Sequence, residues 1–261
     1  MSTPQLLSGK VAIITGAASN IGKAIATRFV AHGASVVLAD INVADCQQLA
    51  SILNSSKAGV AEAMKCDVTV ASDITKVIHK ANKSFNNKDP DIFYNNAGFH
   101  DGVSSARSIT DLDKAMSINV KSVLESIRQA GDVMRKNKSG CILCTGSTMG
   151  LLGDAVPSAY SISKAAVMGL VRAAAAELAN DGVRVNAISP HRVESRSLDS
   201  LLLEKIFPTA DTQQRLHMIE NYMTKRVVKY EDVADAAVFL ASDYGKSVNG
   251  HNLELSGTFS V

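Results

Sequence analysis

At 261 residues, 46% of them hydrophobic, the chain is long enough to bury a substantial core, as one large α/β domain or as two smaller ones. Its 27 basic and 25 acidic residues leave a formal charge of +2 with no basic stripe, which argues against nucleic acid or an anionic membrane as a partner. No apolar run approaches the ~18 residues of a spanning helix, and residues 1–10 carry no secretory pattern, so the expectation is a cytoplasmic protein.

Short apolar runs alternate with helical stretches from one end to the other. Residues 10–15 read as a first strand and 20–32 as a helix stopped by Gly33; 35–39 make a second strand, 43–53 a helix and 60–66 a third strand. Residues 72–85 are helical, 91–94 a fourth strand, and 111–136 one long helix. Residues 141–145 form a fifth strand, 158–180 a helix, 183–189 a sixth strand, 230–241 a final helix and 252–255 a last strand. Strands without polar alternation, each followed by a helix, predict a doubly wound parallel α/β sheet covered on both faces. With no linker or repeat, the whole chain, 1–261, reads as one domain, and 190–229 is an excursion suited to a substrate lid.

Cys46, Cys66, Cys141 and Cys144 have no framework spacing, as befits a reducing compartment. Cys141-Ile-Leu-Cys144 matches a Cys-x-x-Cys pattern, but residues three apart on a strand point to opposite faces, so both read as buried strand cysteines.

Thr15-Gly-Ala-Ala-Ser-Asn-Ile-Gly22 follows the first strand and opens the first helix. Glycine there admits a pyrophosphate close to the backbone, and the helix N-terminus favours its charge. Gly16, Ser19, Asn20, Ile21 and Gly22 are thus candidate dinucleotide contacts. Asp40 ends the second strand close to the ~20-residue spacing at which a carboxylate meets the adenosine ribose hydroxyls, and it would repel a ribose phosphate. The expected cofactor is NAD rather than NADP. Asp67 and Val68, after the third strand, could meet the adenine, and Asn95-Asn-Ala-Gly98 ends the fourth strand with small residues, Asn95, Ala97 and Gly98 being the candidates beside the cofactor.

Tyr160-Ser-Ile-Ser-Lys164 begins a helix, and a spacing of four puts both side chains on one face. An ammonium beside a phenol of pKa ~10 favours the phenolate and brings it toward the working range of an acid/base. Ser147 follows the fifth strand, where it can hydrogen-bond a substrate oxygen, and Asn119 can anchor a water leading to Lys164. Phe99, Met149, Leu151, Leu152, Phe207 and Met218 are apolar candidates for the substrate pocket. His191 apart, the histidines show no metal-ligand spacing, and no metal is assigned.

Taken together, Thr-Gly-x-x-x-x-x-Gly, Asn95-Asn-Ala-Gly98, Asn119, Ser147, Tyr160-x-x-x-Lys164 and Arg184-Val-Asn-Ala-Ile-Ser-Pro190 resemble the short-chain dehydrogenase/reductase family over nearly the whole chain. The resemblance implies a Rossmann domain of about seven strands, hydride transfer at the nicotinamide, Tyr160 as acid/base, Ser147 polarising the carbonyl, Lys164 also holding the nicotinamide ribose and Asn119 in a proton relay. It implies further cofactor contacts at Pro190, Val193 and Ser195, and a homodimer or homotetramer packed through the helices at 111–136 and 158–180. Ala173-Ala-Ala-Ala-Glu-Leu178 and Val238-Phe-Leu-Ala-Ser-Asp243 look most like the plant branch that acts on terpenoid, steroid and phenolic alcohols, which includes nepetalactol-related enzymes.

Three departures stand out. Asn20 replaces a usual glycine, which asparagine's tolerance of a left-handed backbone would allow. His191 stands where the family has Pro-Gly and reads either as a solvated loop residue or as a pocket residue. Ser256-Gly-Thr258 replaces the usual Asp-Gly-Gly. The expected function is NAD-dependent interconversion of a small apolar or cyclic alcohol and its carbonyl; the alternative, drawn from Asn20 and His191, is a non-redox cyclase or isomerase of a reactive monoterpenoid on the same cofactor-bound fold.

Overall fold

The apolar runs become the strands of one sheet. The computed structural model describes residues 4–100, 108–152, 158–191, 193, 211, 213–214 and 227–257. Seven strands, β1 (Val11–Thr15), β2 (Ser35–Asp40), β3 (Ala61–Lys65), β4 (Ile92–Asn95), β5 (Gly140–Thr145), β6 (Val183–Pro190) and β7 (Asn252–Leu255), lie in the order β3-β2-β1-β4-β5-β6-β7. Every pairing is parallel. The chain runs outward from β1 to β3, returns, and runs outward again from β4 to β7. Between β1 and β4 the loops therefore leave in opposite directions and open a crevice at the carboxyl ends of the strands.

Helices cover both faces: α1 (Asn20–Ala31), α2 (Val43–Ser56), α3 (Ala71–Ser84), α4 (Ile109–Met116), α5 (Ser122–Met134), a short α6 (Met149–Leu152), α7 (Ala159–Leu178) and α8 (Tyr230–Ala241). Alternation along each strand divides the core in two. Ile14, Val36 and Leu38 pack with Ile25, Phe29, Val233 and Leu240 of α1 and α8; Ile13, Val37 and Phe93 pack with Ile74 and Val77 of α3, Ile127 of α5 and Val167 and Val171 of α7. Cys141 joins the first cluster and Cys144 the second, so the two thiols lie on opposite faces. Burial pushes Cys144 up to about 12, leaving it an apolar filler rather than a nucleophile.

The expected single helix at 111–136 is corrected in two ways. It starts at Ile109, because the Ser108 hydroxyl accepts from Asp111 N–H and caps it. It is also interrupted by a π-helical turn, Ser117–Lys121, that holds Asn119; π turns of this kind gather at functional sites. The turn α6 has no counterpart among the expected elements. Among the described residues, no helix is long and apolar enough to cross a membrane.

Candidate active site

The glycine turn packs backbone directly against backbone. Gly16 has φ +64°, and a Cβ there would come within 2.7 Å of the Ala97 backbone; a Cβ on Gly22 would lie 2.3 Å from the Gly16 carbonyl oxygen. Ser19 caps α1 by accepting from Gly22 N–H at 3.1 Å. Asn96, not among the candidates expected from sequence, stitches the turn to β4: its amide donates to Gly16 O at 3.0 Å and Ser19 Oγ at 3.1 Å, and it accepts from Thr145 Oγ1 at 3.1 Å. Asn95 instead ends β4 with its amide 3.9 Å from the Cys144 sulfur. Thr15 Oγ1 accepts from the N–H groups of Asn96 and Ala97 at 3.1 and 3.3 Å.

Asn20 has no positive φ. It is the first residue of α1, and its amide donates to the Tyr230 hydroxyl at 3.1 Å. The left-handed tolerance expected of it is therefore not what the position uses. Ile21 follows it in the first turn of the helix, packed against the core. At the end of β2 the Asp40 carboxylate accepts from Ala18 N–H at 3.0 Å and Asn42 N–H at 2.9 Å, which fixes it beside the glycine turn with lone pairs to spare. Asp67 closes its own turn by accepting from Thr69 N–H and Oγ1, at 2.9 and 2.6 Å, and Val68 packs partly into the core. A tight glycine turn, a capped helix N-terminus and a carboxylate at the neighbouring strand end together fit a dinucleotide.

On the other side of the crevice, α7 starts at a Ser158–Ser161 capping box, which sets Tyr160 in its first turn. Lys164 is 4% exposed, and its ammonium donates to Thr145 O at 2.7 Å while lying 5.5 Å from the centre of the Tyr160 ring. Burial brings its pKa down to about 8, so the group keeps its charge at neutral pH but holds it weakly. Ser147 Oγ accepts from Met149 N–H at 3.2 Å. An added Cβ on Gly98 would lie 3.5 Å from Asn119 Oδ1 and 3.8 Å from Lys164 Nζ, so these two groups flank the same small space.

The Asn119 amide clamps the backbone of Phe99, accepting from its N–H at 2.7 Å and donating to its carbonyl at 2.8 Å, with a further bond to Ser163 Oγ at 2.9 Å. One of its donors thus holds the loop after β4 and the other ties it to α7. The Phe99 ring carries the Lys114 ammonium at 4.1 Å. His100, unassigned from sequence, has its ring 4.4 Å from that of Tyr160; no spacing rule signals such a contact.

His191 is half-buried, and its Nδ1 shares a hydrogen bond with Thr148 Oγ1 at 2.7 Å, beside Ser147. Pro190 ends β6, and Val193 bridges to Val228. Of the pocket candidates, Met149 is half-buried and Leu151 exposed. Ser195, Phe207, Met218 and the Leu152 side chain lie outside the described residues, as does most of the 190–229 excursion.

An open parallel sheet with a glycine turn at its switch point and a tyrosine–lysine helix across the crevice defines a dinucleotide-binding oxidoreductase. The chain belongs to the short-chain dehydrogenase/reductase family: residues 16–260 match the family model described as enoyl-(acyl carrier protein) reductase. It is similar to the mitochondrial borneol dehydrogenase of Lavandula x intermedia, 35% identical over 98% of this chain and 92% of that one. Likewise it is 36% identical to (+)-borneol dehydrogenase 2 of Salvia officinalis, over 99% and 92% of the two chains. Secoisolariciresinol dehydrogenase of Forsythia intermedia is 34% identical over 98% and 90%. Among solved structures, levodione reductase superposes with a TM-score of 0.86 at 25% identity, covering 96% of this chain and 97% of its own. Members of the family are oxidoreductases that work with NAD or NADP.

Proposed function

We propose that this protein interconverts a small, mostly apolar secondary or cyclic alcohol and its carbonyl, with NAD in preference to NADP, acting as one dinucleotide-binding domain in a homodimer or homotetramer. The observation that carries the chemistry is the buried Lys164 charge set 5.5 Å from the Tyr160 ring. The preference for NAD rests on Asp40, whose carboxylate beside the glycine turn would repel a ribose phosphate. The class of substrate is supported by the half-buried Phe99 and Met149 near the site and by relatives named for terpenoid and lignan alcohols.

In this reading Gly16, Ser19, Asn20, Ile21 and Gly22 hold the pyrophosphate, Asp40 the adenosine ribose, Asp67 and Val68 the adenine, and Pro190, Val193 and Ser195 the carboxamide side. Bound NAD supplies the hydride acceptor in one direction and, once reduced, the donor in the other. Ser147 Oγ holds the substrate oxygen. Tyr160, as phenolate, takes the alcohol's proton during oxidation and returns it during reduction, and the Lys164 ammonium favours the phenolate. Asn119 and Lys164 flank a space suited to a water that restores the tyrosine's proton.

The test is absorbance at the reduced-nicotinamide band with borneol and a panel of other cyclic alcohols. Turnover with NAD is expected. Substrate conversion with no absorbance change would overturn the redox assignment and favour the cyclase.

A further inference from the structure

Resting on that reading of Tyr160, we propose that His100 is a positioning residue: its imidazole packs on the phenol ring and fixes the direction in which the Tyr160 hydroxyl points. The two ring centres are 4.4 Å apart and their planes tilt by 44°, a close contact between the two rings.

His100 is delivered to that contact by a closed circuit of short bonds. The preceding residue, Phe99, is held at both its N–H and its carbonyl by the Asn119 amide. Asn119 is fully buried and donates to Ser163 Oγ at 2.9 Å. Ser163 Oγ in turn donates to the main-chain oxygen of Tyr160 at 2.7 Å. The circuit ties the backbone that leads into His100 to the first turn of α7, so moving that backbone away from Tyr160 breaks at least one of these hydrogen bonds, which is costly. Lys164 supplies charge on one side of the phenol, and His100 limits rotation of the ring on another. A misplacement of about 1 Å at a reacting group can cost about 10²-fold in rate, so a ring that restrains the phenol has a measurable effect.

With five tyrosines in the chain, ring-labelled tyrosine NMR resolves Tyr160, identified by the signal missing from Tyr160→Phe. In His100→Ala the Tyr160 ring signals should shift and average through faster flipping, and in His100→Phe they should return toward the parent. NAD-dependent turnover of borneol should fall about tenfold or more in His100→Ala and recover in His100→Phe, with NAD affinity unchanged in both. Tyr160 signals that coincide in the parent and His100→Ala overturn the proposal. So does a His100→Phe variant that behaves like His100→Ala, since the imidazole's protons rather than its packing would then matter. Failure of the underlying reading looks different: Tyr160→Phe would leave turnover intact whatever happens to the ring signals.

Discussion

The Lys164 ammonium is tied to the end of β5 through Thr145 O at 2.7 Å, and so stands beside Tyr160 as a buried charge without a carboxylate partner among the described residues. That arrangement has a signature in stability. Burial lowers Lys164 from 10.5 to about 8 in the folded protein, so between those values the unfolded chain binds the extra proton and stability rises with pH. Below pH 8 the cost of keeping the charge is fully present, about 3 kcal/mol, and it is relieved as pH climbs through the window. Lys164→Met has no such proton. Urea midpoints of the parent relative to this variant should rise between pH 8 and 10, whereas a flat difference would contradict the buried charge.

Tyr160→Phe removes a hydroxyl and keeps a ring that already packs against His100. Folding and NAD affinity should persist while turnover falls by about 10² to 10⁴-fold, the usual contribution of a general acid/base group. Lys164→Ala should differ by weakening NAD binding as well. Stopped-flow rates and calorimetric affinities separate the two; unchanged turnover in Tyr160→Phe sinks the proposed chemistry.

Asp40 tests cofactor choice. NAD should bind much more tightly than NADP, and Asp40→Ala should narrow the gap by about tenfold or more, ~1.4 kcal/mol. Because Asp40 also accepts from Ala18 and Asn42 N–H, some loss of NAD affinity is expected in the same titration. Equal affinities in the parent rule the assignment out.

The glycine turn should be intolerant at Gly16. Its positive φ and the 2.7 Å approach of an added Cβ to Ala97 act together, and the left-handed backbone alone costs a non-glycine residue roughly 1–2 kcal/mol. Gly16→Ala should lower the melting temperature by several degrees and abolish detectable NAD binding. Normal binding by this variant would show that the cradle is not where the dinucleotide sits.

Assembly is testable on α7. Ile162, Ala165, Gly169, Ala173 and Ala176 are all exposed and recur every three or four residues, so they share one helix face, and a Cβ on Gly169 would meet nothing within 4 Å. A second copy of the chain is the expected occupant. Light scattering should give a dimer or tetramer, and Gly169→Arg should shift it toward the monomer; a monomeric parent at micromolar concentration would refute this.

The strand and helix order was legible from the residues because it depends on local periodicity and punctuation: parallel strands buried on both faces read as plain apolar runs, Gly33 stops α1, and Ser158 starts α7. The motif positions at the ends of β1, β2, β4 and β5 followed from the same local order. Ser108, three residues before Asp111, is an equally local helix-start signal. The remaining features needed the tertiary structure. Asn20 meets Tyr230 across 210 residues of chain, His191 finds Thr148 across 43, and Asn96 reaches back to Gly16 across 80. The π turn that aims the Asn119 amide at Phe99 and Ser163 leaves no mark in hydrophobic periodicity. A side chain's residue type states which bonds it can make, but the partner it finds depends on which crossover brings two strand ends together, and that is set by the packing of the whole sheet.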